Sequence, residues 1–309
     1  KASMKQYIIR RVGYSLLSLF LLSVTIFLFV RVTGDPVSLL VEPGASPEDI
    51  ENIRRQLGLD RPLWEQYWHF MASLFAGDFG QSFYYRVPVL DLYFQRLPHS
   101  LLLAAVAMAL SLLIGIPSGI LAAVRVDGFW DSAGKIFALL GLSLPQFWVG
   151  LVLILFFSVY LGWLPSSGSG GVLHLLMPAF TLGWYFAAAH MRLTRSSMLE
   201  VLGSEYIKLA RLKGLPEALV IGKHALKNAL IPVITLAGIN LVVMINVAVV
   251  VETVFAWPGI GRLLYEGITF RDFPVVQGVV IIGGAMIVLV NLLVDILYAL
   301  IDPRIRLES

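Results

Sequence analysis

Six long apolar runs divide this sequence and constrain its fold more than any other feature. Each run holds at least 19 residues, and together they carry a single acid, Asp295. At a rise of about 1.5 Å per residue, a helix of this length crosses the roughly 30 Å hydrocarbon core of a bilayer. The sequence therefore predicts an all-α polytopic membrane protein with six transmembrane helices over Val12–Val30, Ser100–Val124, Ile136–Leu161, Val172–Met191, Leu230–Val251 and Val275–Ile301.

The composition supports the same conclusion. Of the 309 residues, 58% are hydrophobic and 14% are charged, whereas about 25% of the residues in a soluble domain are charged. The sequence contains no cysteine, which excludes disulfides, thiolate nucleophiles and cysteine metal sites. The formal net charge of +3 gives no support to nucleic-acid binding, and we expect the lipid bilayer to be the chain's surroundings.

The first apolar run predicts a retained helix and not a cleaved signal peptide. Both begin with basic residues, here Lys5, Arg10 and Arg11. However, the run is long for a signal peptide, and no small-residue cleavage site follows it. We therefore expect a first transmembrane helix that passes from the cytoplasm to the outside.

The distribution of Lys and Arg predicts the orientation, because cytoplasmic loops carry an excess of positive charge. Six helices place both ends on one side. If that side is the cytoplasm, inner segments hold 15 of the 23 Lys and Arg residues. The five arginines of the long segment 35–96 count for little in this rule. Without them, the inner segments hold 15 Lys and Arg residues and the outer segments hold 3. Both ends are therefore predicted to be cytoplasmic.

One polar stretch, Ser204–Pro232, follows the fourth apolar run and leads into the fifth on the predicted cytoplasmic side. Its residues predict a short helix, a bend and a second helix. Gly214 tolerates the positive φ of a helix end, Pro216 suits the first turn of a new helix, and Glu217 is favourable at that helix's positive end. Such an element cannot cross the bilayer. It either rests on anionic lipid headgroups or offers a protruding surface to a soluble partner.

Six motifs follow one another along the chain: RLTRSSMLEVL (192–202), EYIKLARLKGL (205–215), HALKNALIPV (224–233), VVETVFAWPGIGR (250–262), RDFPVVQG (271–278) and VDILYALIDPRIR (294–306). In this order they resemble the motifs of one protein family, the binding-protein-dependent ABC importer permeases. The resemblance is strongest to the first permease subunit of dipeptide, oligopeptide and nickel importers, and it runs from about Met4 to Arg306. The family's loop pattern of Glu-Ala-Ala, three residues and Gly is kept in part, at Ala210 and Gly214.

The resemblance implies a type I ABC importer permease fold with an extracytoplasmic helical segment between helices 1 and 2. It implies an N-terminal end with helix 1 (1–31), the extracytoplasmic segment (32–96), a core with helices 2–6 (97–301) and a cytoplasmic tail (302–309). The core contains a coupling loop at about 196–229. The extracytoplasmic segment, with its amphipathic and aromatic-rich helices, either lies on the outer membrane face or forms part of a docking surface for a binding protein.

The implied function is that of a permease subunit in the bacterial inner membrane. It forms half of a translocation pathway for a small peptide or related solute, which an extracytoplasmic binding protein delivers. The implied partners are a second homologous permease subunit, that binding protein and two ATP-binding subunits. We expect no cofactor on this chain, because those partners use the ATP and Mg²⁺. A nickel or metal-chelator complex, glutathione and an opine are alternative substrates.

The resemblance also implies which residues dock against the ATP-binding subunits. Gly214 would allow the tight bend, and a small residue at Ala210 would keep the contacting face shallow. Leu212, Leu215 and Leu219 would fill a groove, with basic residues at its rim. The predicted coupling residues are Glu205, Leu209, Ala210, Arg211, Leu212, Lys213, Gly214 and Leu215.

Polar residues within the apolar runs are candidates for the substrate pathway, because such residues in a membrane are often functional. The alternative is a structural role in hydrogen bonds between helices. The pathway candidates are Gln146, Asn240, Asn246 and Asn291, and Asp295 is expected to pair with Arg192 or Arg195. In the family-like motif after the fifth run, the candidates for an outer gate or a binding-protein contact are Glu252, Trp257, Pro258 and Gly259.

No pattern of residues indicates catalysis or a metal site. The sequence has no G-x-x-x-x-G-K-[ST] phosphate loop and no H-E-x-x-H, and its five histidines are scattered. The chain is therefore predicted not to be an enzyme. The remaining alternatives are a self-sufficient secondary transporter or channel, which often has charges at mid-membrane, and an intramembrane hydrolase.

Overall fold

A computed structural model describes residues 4–33, 37, 46–56 and 58–301. The tail 302–309 and the side chain of Asp295 lie outside the described part of the chain. The helices in the described part are α1 (Met4–Thr33), α2 (Pro47–Gln56), α3 (Leu63–Phe75), α4 (Val89–Val124), α5 (Phe129–Ser143), α6 (Gln146–Tyr160), α7 (Val172–Leu202), α8 (Glu205–Leu212), α9 (Glu217–Val254), α10 (Ile260–Thr269) and α11 (Phe273–Ile301).

Long apolar helices dominate this part of the chain, as the sequence predicted. Five of them, α1, α4, α7, α9 and α11, are long and apolar enough to cross a membrane, and α5 with α6 makes a sixth if the pair counts as one span. The all-α, six-helix prediction is therefore confirmed.

The third span differs from the prediction of one continuous helix over 136–161. α5 and α6 meet at an angle of 105°. Leu144 between them is extended, with φ −80° and ψ 130°, because the ring of Pro145 disfavours helical geometry in the residue before it. The apolar run continues through this bend, so hydropathy gave no indication of it.

Several helices also extend beyond the predicted apolar runs. α4 begins at Val89, α7 continues to Leu202 and α9 begins at Glu217. The additional turns are richer in polar residues. An apolar run marks only the length that lies in hydrocarbon, whereas a helix continues until its backbone hydrogen bonds end.

The chain divides into two compact units, of which the first is Lys1–Arg96 with Leu263–Ser309. In its described part, α1 packs along α11 around Ile26, Val30, Phe273 and Val276. α3 lies against α1, where Tyr67 contacts the ring of Phe27 edge-on with centroids 5.1 Å apart. The Tyr67 hydroxyl lies 2.9 Å from the Ser23 hydroxyl.

A turn at residues 77–88 is fixed onto the α10–α11 connection within this unit. The buried Asp272 carboxylate accepts hydrogen bonds from the Ser82 hydroxyl and from the Tyr84 backbone N–H at 3.0 Å. Tyr85 donates to Glu266 at 2.6 Å. Partial burial and that hydrogen bond raise the pKa of Tyr85 to about 12. Ser82 and Tyr85 thus anchor this turn to Asp272 and Glu266.

The second unit, Leu97–Arg262, is built around α7. α4, α5, α6 and α9 surround α7, and buried Leu103, Phe186 and Met244 belong to the shared core. α4 approaches α7 closely at Gly115, where an added Cβ would meet the Ala187 carbonyl oxygen at 2.8 Å. Small residues permit such close packing between membrane helices, and at Gly119 an added Cβ would likewise meet the Met191 carbonyl oxygen at 2.7 Å.

Candidate functional site

The stretch Ser204–Pro232, here named the coupling segment, folds as the predicted helix, bend and helix. α8 ends at Leu212, and Gly214 adopts φ +74°. α9 starts after Pro216 and runs on into the apolar span without a break. A Cβ on Gly214 would meet nothing within 4 Å. The requirement for glycine there therefore comes from its positive φ, which costs other residues conformational energy.

One face of α8 packs into the chain's own core. Ile207 and Ala210 are buried in a cluster with Met198 of α7 and with Val220 and Ala225 of α9. Ala210, which the resemblance implied to lie on the contacting face, is therefore buried within this chain. Its small side chain sets how closely α8 approaches α9, because packed interiors leave no room for a larger group.

The opposite face of α8 is exposed and partly apolar. Leu209 is 53% exposed and Leu212 is 84% exposed. Lys213 and Gly214 are also exposed at the end of the helix, whereas Leu215 turns inward and packs against the buried cluster. Exposed apolar side chains on a short surface helix are typical of a docking site.

Two ion pairs fix the shape of the coupling segment. Lys208 pairs with Glu205 at 2.7 Å within α8. Arg211 donates to both oxygens of Glu217, at 2.6 and 3.1 Å, and this contact crosses the bend at Gly214. Hydrogen bonding to Glu217 raises the pKa of Arg211. Both pairs are exposed, so they define the geometry more than they stabilise the fold.

A buried carboxylate that the sequence did not single out joins α5 to α7. Asp131 accepts two hydrogen bonds from Arg195, at 2.6 and 3.0 Å, and pairs with Lys135 at 2.9 Å. The backbone N–H of Asp127 also donates to it. Arg195 was expected to be a possible partner of Asp295, but the structure pairs it with Asp131. The one feature of the sequence that could have indicated this ion pair is the i,i+4 spacing of Asp131 and Lys135.

Asn240, a predicted pathway residue, belongs to a hydrogen-bonded chain across three helices. Its amide nitrogen lies 3.3 Å from Nε2 of the buried His190 on α7, and Nδ1 of His190 lies 3.2 Å from the Ser111 hydroxyl on α4. When Ser111 donates its proton to the Met108 carbonyl, the matching His190 tautomer carries its proton on Nδ1, and Nε2 accepts from Asn240. The sequence did not indicate a role for His190, because a single histidine in an apolar run has no distinctive spacing.

The other predicted pathway residues are dispersed. Asn246 is exposed and donates to the Val242 carbonyl of its own helix at 2.9 Å. Gln146 is half-buried at the first residue of α6, directly after the bend. Asn291 is exposed on α11 and belongs to the first unit. Within the described part of the second unit, no hydrogen bond joins Gln146 to Asn246.

The motif 252–262 forms a buried polar cluster, here named the Glu252 cluster. The Glu252 carboxylate accepts hydrogen bonds from the Ser100 hydroxyl at 2.6 Å and from the Arg262 backbone N–H at 3.0 Å. Ser100 in turn accepts from the Ile260 backbone N–H. A Cβ at Gly259 would overlap the carboxylate. The carboxylate thus holds the start of α10 to the end of α9 and to α4.

Trp257 is buried beside this cluster. Its indole N–H donates to the His99 carbonyl at 3.0 Å, and Pro258 is half-buried. Glu252 and Trp257 are both buried within this chain, and their hydrogen bonds position the segment 252–262. In the described part of the chain, no group of three or more His, Asp or Glu residues could hold a metal ion.

Comparison with known proteins identifies the family. A model described as "Binding-protein-dependent transport system inner membrane component" matches residues 115–307, which is more than half of the chain. The chain belongs to this family. A second model, "Binding-prot-dependent transport system membrane comp, N-term", matches residues 4–104.

Curated relatives of this permease cover almost its whole length. The "Glutathione transport system permease protein GsiC" of Escherichia coli strain K12 is 42% identical over 304 residues, which are 98% of this chain and 99% of the relative. The protein of the same name from Shigella boydii serotype 4 is 41% identical over the same length. The chain is an ABC importer permease subunit of the dipeptide, oligopeptide and nickel branch, which confirms the resemblance.

Solved structures support the fold. One, titled "Crystal structure of an amino acid ABC transporter with histidines", matches with a TM-score of 0.54 at 15% identity, over 67% of this permease and 93% of that chain. The MetNI methionine ABC transporter in an inward-facing conformation matches with a TM-score of 0.54 at 20% identity, over 69% and 97%. The type I ABC importer permease fold is therefore confirmed.

Proposed function

We propose that this permease forms half of a pathway that imports glutathione or a closely related small peptide. The observation that carries the proposal is the 42% identity over 99% of a relative named as a glutathione transport permease. A second homologous permease subunit would complete the pathway. An extracytoplasmic binding protein would deliver the solute, and two separate ATP-binding subunits would supply the energy with ATP and Mg²⁺.

The coupling segment is the proposed contact with the ATP-binding subunits. Its excess of positive charge favours the cytoplasmic side, where those subunits would lie. Leu209 and Leu212 would enter a groove on the partner, with Lys213 at the rim. Both leucines are exposed although they are apolar, and burying an apolar side chain of this size contributes about 1.5–3 kcal/mol.

Motion of α8 would reach the membrane helices through its buried face. Ile207 and Ala210 pack against Met198 of α7 and Ala225 of α9, so α8 cannot shift without moving one of those helices. ATP binding would favour the state in which the two ATP-binding subunits are closed, and hydrolysis would reverse that preference. The pathway would thus open alternately to each side.

Transport by the purified system tests this function. The permease, its homologous partner, both ATP-binding subunits and the binding protein are reconstituted in liposomes with labelled glutathione. We expect uptake that requires ATP and that unlabelled dipeptides inhibit weakly or not at all. Uptake of a nickel chelate or an opine in place of glutathione would refute glutathione as the substrate. Uptake by this chain alone, driven by an ion gradient, would overturn the ABC mechanism.

A substitution at Leu212 tests the coupling segment. Leu212→Asp places a charge where an apolar contact is proposed, so we expect at least a tenfold loss of affinity for the ATP-binding subunits in co-purification. Leu212→Met keeps the apolar character and is the matched control, and it should bind as wild type does. Because Leu212 is 84% exposed, neither change should affect membrane insertion. Equal binding by the two variants would refute docking through this face.

A further inference from the structure

A basic cleft opens at the outer end of α1, within the first unit. It has a volume of about 370 Å³, and its lining includes Arg31, Arg55, Arg61, Gln66 and His69. That volume lies within the range of small-ligand sites, roughly 300–1,000 Å³. The polar edge of α3 and the end of α2 form its walls.

Positive charge is concentrated in this cleft. No Asp or Glu is among the described residues that line it. Arg55 pairs with the exposed Glu51 of its own helix at 3.5 Å. Guanidinium groups that share one cleft repel each other, and an anion between them removes that repulsion.

The arginines are held in place by neighbouring groups. Arg31 donates from Nε to Gln66 at 2.9 Å, and its guanidinium carbon lies 3.5 Å from the centre of the Phe27 ring. Arg61 donates from Nη1 to Nε2 of His69 at 3.0 Å. Gln66 also donates to the Arg61 carbonyl at 2.7 Å. Side chains that are already ordered lose less entropy when a ligand binds.

The position of the cleft indicates where its ligand comes from. Arg31 is at the end of the apolar stretch Ile8–Val32, so we expect it to lie at the depth of the lipid headgroups. Trp64 and Trp68 are exposed on the face of α3 away from the cleft, and exposed Trp residues are typical of a helix at the membrane interface. Phosphate groups are the anions available at this depth, and arginine binds them through paired N–H donors.

We propose that this cleft is a phosphate-binding site on the outer side of the permease. Its ligand is the phosphate of a phospholipid headgroup or phosphate free in the surrounding solution. The site does not involve the transported solute. The result of its test therefore does not depend on the proposed function. Its occupant would neutralise the cleft and fix α3 to the end of α1.

Titration of the detergent-solubilised, delipidated importer tests the proposal. The probes are inorganic phosphate, short-chain dihexanoyl phosphatidylglycerol and dihexanoylglycerol, which lacks the phosphate. We expect the phosphate-bearing probes to bind and dihexanoylglycerol not to bind. Phosphatidylglycerol that binds more than about tenfold tighter than inorganic phosphate identifies a lipid site. Equal affinities identify a site for free phosphate. If neither phosphate-bearing probe binds, the proposal is overturned.

Matched arginine substitutions locate the binding. Arg61 is exposed, so Arg61→Gln should fold normally and weaken binding about tenfold through the loss of charge-assisted hydrogen bonds. Arg86 is exposed in the turn 77–88 and does not line the cleft. Arg86→Gln changes the net charge equally and should leave the affinity unchanged. An equal loss from both variants would show diffuse electrostatic attraction and overturn the site.

Discussion

At the scale of single residues, the Glu252 cluster shows why glycine is needed in the motif 252–262. The carboxylate is fully buried and accepts hydrogen bonds from Ser100 and from the backbone of Arg262. A buried charge is tolerated only when its hydrogen bonds are satisfied. The Gly259 backbone lies so close to the carboxylate that any side chain there would overlap it. Glu252 and Gly259 are therefore a matched pair.

Gly259→Ala tests this pair. The added methyl group must displace the carboxylate, so we expect a loss of roughly 1–3 kcal/mol in the free energy of unfolding. The measurement is the thermal midpoint of the purified permease in detergent. Gly238→Ala is the control, because a Cβ at Gly238 meets nothing within 4 Å and alanine stabilises a helix relative to glycine. A midpoint for Gly259→Ala at or above that of the control would contradict the proposed packing.

At the scale of helices, α5 and α7 are connected by charge as well as by apolar contact. α5 begins just before Asp131, whose carboxylate binds Arg195 seven residues before the end of α7. α7 leads directly into the coupling segment. The Asp131–Arg195 pair therefore holds the bent third span to the helix that would carry the motion of α8.

Asp131→Asn should loosen that connection. It leaves Arg195 and Lys135 without their shared counter-charge. For a fully buried pair, this change lowers the free energy of unfolding by roughly 3–5 kcal/mol. Because Arg195 is 22% and Lys135 55% exposed, water screens them and we expect about 1–3 kcal/mol. Urea or thermal unfolding measures the change. The control is Asp127→Asn, since Asp127 is 86% exposed and 4.0 Å from Lys135. Similar stabilities for the two variants would argue against a structural role for Asp131.

At the scale of the whole molecule, the orientation in the membrane remains a prediction from charge. The excess of Lys and Arg in the predicted inner segments places both ends and the coupling segment in the cytoplasm. The absence of cysteine from the sequence makes this simple to test, because single cysteines can be introduced without background labelling.

Ser169→Cys and Lys223→Cys report the two sides. Both residues are exposed; Ser169 lies in the predicted outer turn before α7, and Lys223 lies in the coupling segment. In intact cells, a membrane-impermeant maleimide should label Ser169→Cys at once and Lys223→Cys only after permeabilisation. The reverse pattern would invert the topology and exclude the coupling segment as a contact for cytoplasmic ATP-binding subunits.

The sequence predicted those parts of the fold that depend on local chemistry. Long apolar runs predicted the membrane helices, because the thickness of the bilayer sets the length of apolar chain that spans it. Gly214 and Pro216 predicted the bend of the coupling segment, because each restricts or permits particular backbone angles within a few residues. The order of the motifs identified the family, which the comparisons confirm.

Only the tertiary structure decided which polar side chains meet. Arg195 binds Asp131 across 64 positions, Ser100 binds Glu252 across 152, and His190 lies between Ser111 and Asn240. The resemblance implied a contacting face at Ala210, whereas the structure packs Ala210 against α7 and α9. Hydropathy and helical periodicity describe each helix separately. Which face of a helix is buried, and beside which partner, depends on how separate helices pack, and that information is not local to any stretch of the chain.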